Sequence, residues 1–599
     1  MTSWFFFIEE KTMKEKWMLR TKKADFNEIG KKFKIDPLLA RLIRNRDIIL
    51  EEDIGKYLYG TKENMYSPYL LKDMEKAVSI LEEKIAGNKK IRIISDYDVD
   101  GVISNYVLFR GLQEIGANVD YEIPDRINDG YGINERMVRK AKEDGIDTIL
   151  TCDNGIAAVN QVALAKENGL TVIITDHHDV PFIMQDEVKV EQLPNADAIV
   201  NPKQAECRYP FEKICGATVA YKLIQALYEK RGLEHDFYLE YLAIATVCDV
   251  VDLTDENRII VKEGLKRLNA TKNLGIKALL KENFKEEIEL NAYHLGFIIG
   301  PCINAAGRLE HAGEGLSLLL AKEEKVAAEM ASHLKMLNDD RKALTEKGVE
   351  KAIELVENTK IKEDKVLVIY LDECHESLAG IIAGRIREKF NKPVIVLTRS
   401  KEGVKGSGRS IEEYSMFEKL NECKEYLDKF GGHPMAAGLS LKEENVEDFR
   451  KSLNDKCGLS EEDFTKKIYI DIKMPFYYIS EYIIEQLELL EPFGKANEKP
   501  VFAESDVKVM EARILGENKN VLKLKLATDS SSMIEGICFK NTMEELLKQI
   551  EEKHGVDELD KLFEGRENNL RLRIIYYPSV NIYRGRKTLQ IVINNFELM

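Results

Sequence analysis

Short apolar runs alternate with amphipathic segments through much of the first half of the chain. Apolar runs at 90–95, 147–153 and 170–178 end in polar or acidic residues, and helical patterns at 133–143 and 157–168 lie between them. Strands that alternate with helices are typical of right-handed βαβ units and a parallel sheet. The pattern therefore predicts an α/β domain with several polar residues at the carboxyl ends of its strands.

Helical periodicity dominates residues 216–309, and an amphipathic stretch at 313–358 is expected to form one long connecting helix. A second α/β unit is predicted to open with a strand at 365–370 and to contain another at 393–397. Glycine-rich turns are expected in this unit at 406–410 and 431–438.

From Val501 onward short alternating runs replace the helical pattern. They lie at 507–515, 521–527, 533–539, 570–577 and 588–596. Such runs predict a small antiparallel β-domain with a five-stranded barrel. The chain is thus predicted to contain an N-terminal segment (1–75), an α/β domain (76–312), a connecting helix (313–358), a second α/β domain (359–460) and the β-barrel domain (461–599).

The composition of the chain limits the classes of function that it can have. The 599 residues include 88 Lys and Arg against 104 Asp and Glu, a net charge of −16, which argues mildly against nucleic-acid binding. Only the local field at a binding groove decides that question, so it stays open. No apolar stretch approaches the roughly 18 to 20 residues of a membrane span. The apolar residues 4–8 run into two glutamates and do not form a signal peptide, and the first dozen residues are interpreted as an extension before the natural start.

Nine cysteines are scattered along the chain without a Cys-x-x-Cys pair. An odd, dispersed set in a large protein indicates reduced thiols and a cytoplasmic location, since disulfide frameworks need paired cysteines.

Asp96, Asp98 and Asp100 place three carboxylates within five residues after the strand at 90–95. Like charges this close repel unless a divalent cation neutralises them. A calcium loop of the EF-hand type is disfavoured, because its twelfth position is Val107 and a strand precedes it where a helix should. A solvated acidic turn remains the alternative for this loop taken alone.

Further donors follow the next predicted strands and helix, at Asp153, at Asp176 with His177 and His178, and at Asp249. Carboxylates with imidazole suit Mn²⁺, and the same hard oxygens accept Mg²⁺. One of the two histidines can ligate while its neighbour contacts substrate, and Asp176 can hold an imidazole tautomer. Together these residues predict a hydrolytic centre with two divalent metal ions.

These motifs resemble those of the DHH phosphoesterase superfamily, at 96–101, 152–155, 176–178 and 249–251. Within it, residues 300–308, 431–438 and 490–502 resemble the RecJ family of single-strand-specific DNA exonucleases. The resemblance runs from about residue 20 to the end of the chain. It implies a DHH domain over 76–312, a DHH-associated domain over 359–460 and an oligonucleotide-binding barrel over 461–599.

The resemblance also implies residue roles. Metal ligands correspond to Asp96, Asp98, Asp153, His177 and Asp249, whereas Asp100 matches an acidic position whose direct ligation is left open. His178 matches a histidine beside the scissile phosphate, and Arg308 matches an arginine that neutralises phosphate charge.

Candidate nucleic-acid contacts lie in three regions. Asn304 belongs to the motif of Arg308, and the DHH-associated domain contributes Ser407, Arg409, Ser410, Gly431, Gly432 and His433. The barrel contributes Arg571, Arg573, Tyr576, Arg584 and Arg586, a combination of cations and aromatic faces that suits single strands. Plain tight turns for the glycines, and a core position for any one tyrosine, are the competing interpretations.

The predicted function is metal-dependent, 5′→3′ exonucleolytic hydrolysis of single-stranded DNA to 5′-mononucleotides. The family further implies roles in recombination and repair, a monomer, and partners that include a single-strand-binding protein and a RecQ-type helicase. Two alternatives are a DHH phosphodiesterase acting on short oligonucleotides or cyclic dinucleotides, and a non-catalytic replication scaffold.

Overall fold

The computed structural model describes residues 15–599 except 186–187, 402, 517, 529–531 and 584, and its described residues form two units. One unit comprises Thr61–Lys466, and the other combines Glu15–Gly60 with Lys467–Met599. The N-terminal residues 15–60 therefore share a unit with the C-terminal β-domain, although the sequence pattern separates them widely. The five segment boundaries proposed from the sequence stay predictions.

The N-terminal part of the second unit is a strand and three short helices. These are β1 (Glu15–Leu19), α1 (Phe26–Phe33), α2 (Pro37–Asn45) and α3 (Glu51–Tyr59). Asp36 begins α2 by accepting a hydrogen bond from the Leu38 amide, with Pro37 at the first helical position. Leu39 and Leu42 of α2 are buried in the same core as the apolar residues of the C-terminal β-domain.

A five-stranded parallel sheet forms the first half of Thr61–Lys466, as the alternating pattern predicts. Its elements, with a separate hairpin of β6 and β7, are α4 (Met74–Ala86), β2 (Lys90–Ser95), α5 (Val99–Glu114), β3 (Asn118–Glu122), α6 (Glu135–Glu143), β4 (Thr148–Cys152), α7 (Val159–Glu167), β5 (Thr171–Thr175), β6 (Phe182–Gln185), β7 (Val188–Glu191) and β8 (Ala198–Val200). The strand order is β3-β2-β4-β5-β8. Strand β4 is buried throughout, and β2 is buried except at Lys90, which explains their nearly continuous apolar sequences.

Helices follow this sheet over the predicted range. They are α8 (Gly216–Glu229), α9 (Leu239–Cys248), α10 (Asp255–Leu268), α11 (Leu274–Asn283), α12 (Ala292–His294), a π-helical turn (Leu295–Ile299), α13 (Gly300–Leu309), α14 (Gly313–Leu320) and α15 (Glu324–Asn358). The expectation of one helix over 313–358 is wrong, because Ala321 leaves the helical conformation with ψ at 132°. The break lets α14 bury Leu316 and Leu319 while α15 packs against α13.

The second sheet of this unit has the strand order β12-β13-β11-β10-β9. The elements are β9 (Leu367–Tyr370), α16 (Ala379–Phe390), β10 (Val394–Ser400), β11 (Gly403–Arg409), α17 (Met416–Glu422), β12 (Leu427–His433), β13 (Ala436–Leu441) and α18 (Val446–Asp455). The glycine-rich segments expected to be turns are largely strands. Glycine is needed there because a side chain would collide with neighbours: a Cβ at Gly406 would lie 2.4 Å from Leu397, and one at Gly408 3.0 Å from Met416.

The C-terminal β-domain closes on itself, which confirms the predicted barrel. Its elements are β14 (Lys466–Ile470), β15 (Ile472–Lys473), α19 (Glu481–Glu488), β16 (Phe502–Leu515), β17 (Val521–Ala527), β18 (Met533–Phe539), α20 (Lys540–His554), α21 (Val556–Phe563), β19 (Arg571–Tyr583) and β20 (Arg586–Leu598). Pairing of β16 with β19 closes the ring β16-β17-β18-β20-β19. The ring is not wholly antiparallel as expected, since β18 and β20 run parallel.

Candidate metal centre and nucleic-acid interface

The acidic residues of the candidate centre follow three neighbouring strands of the parallel sheet. The last residues of β2, β4 and β5 pair in register, Ser95 with Cys152 and Cys152 with Thr175. The next residues, Asp96, Asp153 and Asp176, therefore lie side by side at one edge of the sheet.

All six residues predicted as metal ligands are brought together at this edge. Potential ligand atoms lie within 4.8 Å of one another in three overlapping groups: Asp96, Asp98 and Asp153; Asp100, His177 and Asp249; and Asp153, His177 and His178. Asp153 and His177 each belong to two of the groups, so the three groups form one continuous set of donors. This arrangement fits two neighbouring divalent ions better than one.

The imidazole of His177 is oriented for ligation through Nε2. Its Nδ1 lies 3.1 Å from the carbonyl oxygen of Ile214, so Nδ1–H can donate there and leave the Nε2 lone pair available. Nε2 lies 3.1 Å from Asp153 Oδ1, and the pair lacks hydrogen-bond geometry. Burial, with the neighbouring His178, lowers the pKa of His177 to about 3, which keeps the ring neutral as a metal ligand must be.

Four buried donor atoms in the cluster have no hydrogen-bond partner among the residues that the structure describes. They are Asp96 Oδ1, Asp153 Oδ1, Asp249 Oδ2 and His177 Nε2. Burial, together with neighbouring carboxylates, raises the pKa values of Asp96, Asp153 and Asp249 well above their ordinary range. Buried polar atoms are almost always satisfied, so divalent cations fit this donor set.

Asp100 differs from Asp96, Asp153 and Asp249 because both of its oxygens accept hydrogen bonds. Oδ2 accepts a 2.6 Å hydrogen bond from the Gly216 amide, and Oδ1 accepts a 2.8 Å bond from the Ala217 amide. These amides open helix α8, where a carboxylate is favoured. Asp100 therefore anchors α8 to the cluster, and a Cβ at Gly216 would lie only 2.6 Å from Asp153 Oδ1.

Asp176 organises the histidine pair. Its Oδ1 accepts from the amides of His177 at 2.8 Å and His178 at 3.1 Å, and its Oδ2 accepts from the Ile156 amide at 2.9 Å. Oδ1 also lies 2.8 Å from Nδ1 of the His178 ring. Burial by itself would lower the pKa of His178, but the bond to Asp176 and its charge outweigh this and raise the pKa to about 9.

Tyr131 is a component of the site that the sequence pattern did not single out. Its hydroxyl donates to the Asp153 carbonyl at 3.0 Å and lies 3.2 Å from each ring nitrogen of His178. Gly130 and Gly132 flank it with φ values of 78° and 68°, which L-residues rarely adopt. In the sequence, an aromatic residue between two glycines indicates a backbone conformation that exposes a single side chain. This pattern could have identified Tyr131.

Arg308 connects the metal cluster with a cavity that is lined by residues of both α/β domains. Its Nη1 donates to the Ser377 carbonyl at 2.8 Å, and Asn304, one helical turn earlier in α13, has a buried Oδ1 without a hydrogen-bond partner among the described residues. The cavity has a volume of about 240 Å³. Its polar lining comes from Tyr97, Arg126, Glu376, Ser377, Thr398, Lys405 and Ser407.

Comparison with known proteins assigns the family. The DHH family N-terminal domain matches residues 90–246, the DHHA1 domain matches 363–458, and the RecJ OB domain matches 470–595. The single-stranded-DNA-specific exonuclease RecJ of Bacillus subtilis is 35% identical over 97% of this chain and 71% of that protein. The chain belongs to the RecJ family. This confirms the family that the sequence motifs predicted.

Solved RecJ structures share the fold. The Thermus thermophilus RecJ complex with Mn²⁺ matches with a TM-score of 0.79 and 26% identity over 98% of this chain and 80% of that chain. The Mg²⁺ complex from the same organism gives 0.73 and 25% over 97% and 78%. Bound Mn²⁺ and Mg²⁺ in these relatives agree with the donor set described above.

In the DHHA1 part of this RecJ family member, the candidate strand contacts separate into accessible and inaccessible groups. Ser407 lines the cavity, while Gly431 and Gly432 lie in β12 close to the exposed His433. His433 Nδ1 lies 3.9 Å from Asp179 Oδ2, one residue beyond His178. Arg409 is half-buried, and its Nη1 donates to the Gly408 carbonyl at 2.8 Å.

Ser410 requires a correction. Its side chain is buried, and its hydroxyl donates to the Tyr414 carbonyl at 2.5 Å. A hydroxyl engaged inside the domain holds the loop together and is not presented to a nucleic acid.

The RecJ OB domain also requires a correction, at Tyr576. Its ring is fully buried against Phe502, and its hydroxyl donates to the Met474 carbonyl. It is a core residue, so it cannot stack on bases. Tyr583, at the end of β19, is 65% exposed and offers the aromatic face that Tyr576 was expected to provide.

The four arginines predicted in this domain differ in their surroundings. Arg571 pairs with Asp506 at 2.5 Å and Arg573 with Glu597 at 2.9 Å, so their charges are partly neutralised. Arg586 is exposed beside the hairpin end. Arg584 lies outside the described residues. Among the described residues, no helix is both long enough and apolar enough to cross a membrane.

Proposed function

We propose that this chain hydrolyses single-stranded DNA from its 5′ end and releases 5′-mononucleotides, with two divalent metal ions bound among the strand-end acids. One observation supports this most strongly: four buried donor atoms of Asp96, Asp153, His177 and Asp249 converge without hydrogen-bond partners among the described residues. Family members from several bacteria are named single-stranded-DNA-specific exonucleases, in agreement with this reading.

Asp96, Asp98, Asp153, His177 and Asp249 would hold the ions, and Asp100 would support them by fixing α8. Bound ions would supply Lewis-acid activation of water and stabilisation of the leaving oxygen. No side chain is then needed as a strong general base.

The chain's own residues position the phosphate. His178, held by Asp176 and Tyr131, presents an imidazole that favours the protonated form and can donate to a phosphate oxygen. Arg308 offers planar donors for the non-bridging oxygens. Within the described part of the chain, the Arg308 side chain donates to the Ser377 carbonyl through Nη1. Its other N–H groups are therefore available to a phosphate.

The cavity beside Arg308 would determine the 5′→3′ direction of cleavage. Arg126, Lys405 and Ser407 line this cavity and suit a terminal phosphate, with Lys405 also paired to Glu376 at 3.1 Å. A strand whose 5′ phosphate occupies this cavity would place the next phosphodiester toward Arg308 and the metal cluster. A 3′ end carries no such phosphate and would not be held.

The OB domain would contribute further contacts to the strand. Exposed Tyr583 and Arg586 combine an aromatic face with a cation, as single-strand platforms do. Local basic groups of this kind resolve the conflict with the net charge of −16.

Partners and location belong to the same proposal. On the resemblance to the family, the proposed partners are a RecQ-type helicase that opens duplexes and a single-strand-binding protein that keeps strands accessible. We further propose a monomer in a reducing cytoplasm, where the nine unpaired cysteines would stay reduced.

Digestion of an oligonucleotide labelled at either end tests the proposal. The 5′-phosphorylated strand, a blunt duplex and a dinucleotide are each incubated with Mn²⁺, Mg²⁺ or EDTA, with Asp153→Asn as the inactive control. Metal-dependent release of the 5′ label as mononucleotide, with the duplex intact, is expected. Cleavage of the dinucleotide alone would indicate a small-substrate phosphodiesterase, and strand binding without any cleavage would indicate a scaffold.

A further inference from the structure

Tyr293 and Phe297 place two aromatic rings side by side at the surface of the unit Thr61–Lys466; we call them the aromatic pair. Their ring centroids are 4.9 Å apart and the ring planes are inclined by 23°, so the two rings are stacked on each other. Tyr293 is 61% exposed and Phe297 is 67% exposed. Single exposed apolar side chains are common in proteins, whereas two adjacent exposed rings form a patch that can bind a ligand.

The aromatic pair lies on the helical segment that carries Arg308. Helix α12, the π-helical turn and α13 follow one another without a break over residues 292–309, and Phe297 lies inside the π-helical turn, a type of irregularity that is frequent at functional sites. One set of accessible residues recurs along the segment every three or four positions, a spacing that places side chains on one face of a helix. The residues on this face are Tyr293, Phe297, Pro301, Asn304 and Arg308.

Contacts at both ends fix this segment against the metal cluster. Near the aromatic pair, Cys248 Sγ donates to the Leu295 carbonyl at 3.6 Å, and Cys248 immediately precedes Asp249 of the cluster. At the other end, Gly307 approaches the loop of the first acids so closely that a Cβ there would lie 2.5 Å from the Tyr97 carbonyl oxygen. The aromatic pair therefore has a fixed position beside the metal cluster, on the helix face that leads to Arg308.

A single strand held at Arg308 can reach the aromatic pair. Phe297 lies eleven residues before Arg308, which is about 16 Å along a helix at 1.5 Å per residue and a length that several nucleotides span. Between them the face carries Asn304, whose buried Oδ1 has no hydrogen-bond partner among the described residues. Amide and guanidinium groups suit a sugar–phosphate backbone, and exposed rings suit unpaired bases. The residues of this face therefore favour a nucleic-acid strand over an apolar protein partner.

We propose that the aromatic pair stacks on an unpaired base of the strand, several nucleotides away from the cleaved bond. This inference rests on the proposed nuclease function and adds a base-stacking subsite to it. The subsite accepts any sequence, because every base has a π-face. It does not accept a paired base, whose faces are covered by its neighbours in the duplex. The competing explanation is that the two rings only stabilise the helix by contacting each other.

The test combines Phe297→Ala with strands that lack one base. The probe is a fluorescent, 5′-phosphorylated 12-nucleotide oligothymidylate, either intact or with one abasic nucleotide at each of positions 2 to 7 in turn, and binding is measured in EDTA. We expect Phe297→Ala to weaken binding of the intact strand about tenfold. One abasic position should weaken wild-type binding by a similar factor. On that strand the wild type and the variant should bind equally, because the ring and the base are partners in one contact.

Three further variants separate stacking from other effects. Phe297→Leu keeps an apolar side chain without a ring and should also lose about tenfold in binding, whereas Phe297→Trp should bind at least as well as the wild type. The matched control is Phe237→Ala, since Phe237 is 43% exposed and contacts Tyr238 at a ring distance of 4.2 Å. Tyr238 packs on Tyr228 in the last turn of α8, whereas the cluster lies at the first turn of that helix. Binding by Phe237→Ala should stay within about twofold of the wild type.

Two results would overturn the subsite. Equal binding of the intact strand by wild type and Phe297→Ala would leave the aromatic pair as a surface for a protein partner. A loss of the same size on the intact strand and on every abasic strand would show that the ring acts only through the fold. If Phe297→Ala does not fold, Tyr293→Ala replaces it, with the same two results decisive.

Failure of the nuclease proposal is recognised separately. Wild type that binds the 12-nucleotide strand but cleaves no substrate in Mn²⁺ or Mg²⁺ would refute the proposed activity. The binding comparison in EDTA would still decide whether the aromatic pair holds a base, because it does not depend on cleavage.

Discussion

Asp176 Oδ1 lies 2.8 Å from the imidazole Nδ1 of His178, and the same oxygen accepts the backbone amide of His178 at 3.1 Å. One carboxylate thus fixes both the position and the ring orientation of the residue proposed to contact phosphate. The carboxylate is itself buried and bonded to the Ile156 amide, so it has little freedom to move.

Asp176→Asn should reduce kcat roughly 10- to 100-fold, the usual effect of removing a partner that orients a site residue. The amide can still accept a hydrogen bond but no longer stabilises the positive imidazole. Steady-state kinetics with Mn²⁺ in excess measure the effect. A normal kcat would show that His178 needs no orientation by Asp176.

Asp153→Asn and His177→Ala should each abolish cleavage, with a loss larger than that of Asp176→Asn, because both remove a donor of the metal cluster itself. Mn²⁺ binding followed by calorimetry should weaken in both. Far-UV circular dichroism and strand binding in EDTA serve as controls for the fold. Near-normal turnover in both variants would refute the assignment of the metal centre.

Tyr131→Phe removes only the hydroxyl that contacts the Asp153 carbonyl and His178. The side chain is 52% exposed, so unfolding free energy should change by no more than about 0.5 kcal/mol. We expect kcat to fall by roughly an order of magnitude with Tm unchanged. If activity and Tm fall together, Tyr131 stabilises the loop and has no direct part in the site.

Arg126→Ala should weaken the preference for a 5′ phosphate. The wild type is expected to favour a phosphorylated over a hydroxyl 5′ end by about tenfold or more in kcat/KM, since a charge-assisted contact is worth about 1.5 to 3 kcal/mol. In the variant the preference should fall several-fold, with Lys405 and Ser407 retaining the remainder. Lys401→Ala, which removes a neighbouring cation that contacts Asn128 at 3.1 Å, is the control and should retain the preference.

The barrel contains one exposed tyrosine, Tyr583, and one buried tyrosine, Tyr576, whose substitutions can be compared directly. Tyr583→Ala should weaken strand binding by about 1 to 3 kcal/mol, the range for one stacked base, without lowering Tm. Tyr576→Phe should leave binding intact but destabilise the domain by about 1 to 3 kcal/mol, because the buried Met474 carbonyl loses its donor. The reverse result would place the strand on another face of the barrel.

Much of the metal centre could be predicted from the sequence alone. Asp96, Asp153 and Asp176 each follow a short apolar strand, and parallel strands must bring their carboxyl ends to one edge. Side chains that are tens of residues apart in sequence therefore lie close together in the fold. The strand pattern and the residue types are enough to predict this. The alternating runs after Val501 likewise determined the barrel, since period-two patterning specifies strands.

Other features depended on long-range packing that local pattern does not encode. Asp100 and Asp153 look alike in sequence, yet only the position of α8 decides that Asp100 is bonded to two amides while Asp153 Oδ1 is left for a cation. Glycines at 406 and 408 suggested turns, but neighbouring side chains required them within a strand. The side of the barrel wall on which each tyrosine falls was set by strand register and twist, which placed Tyr576 inside and Tyr583 outside. The sequence by itself determined which chemistry the chain carries, and the tertiary structure decided which atoms are free to perform it.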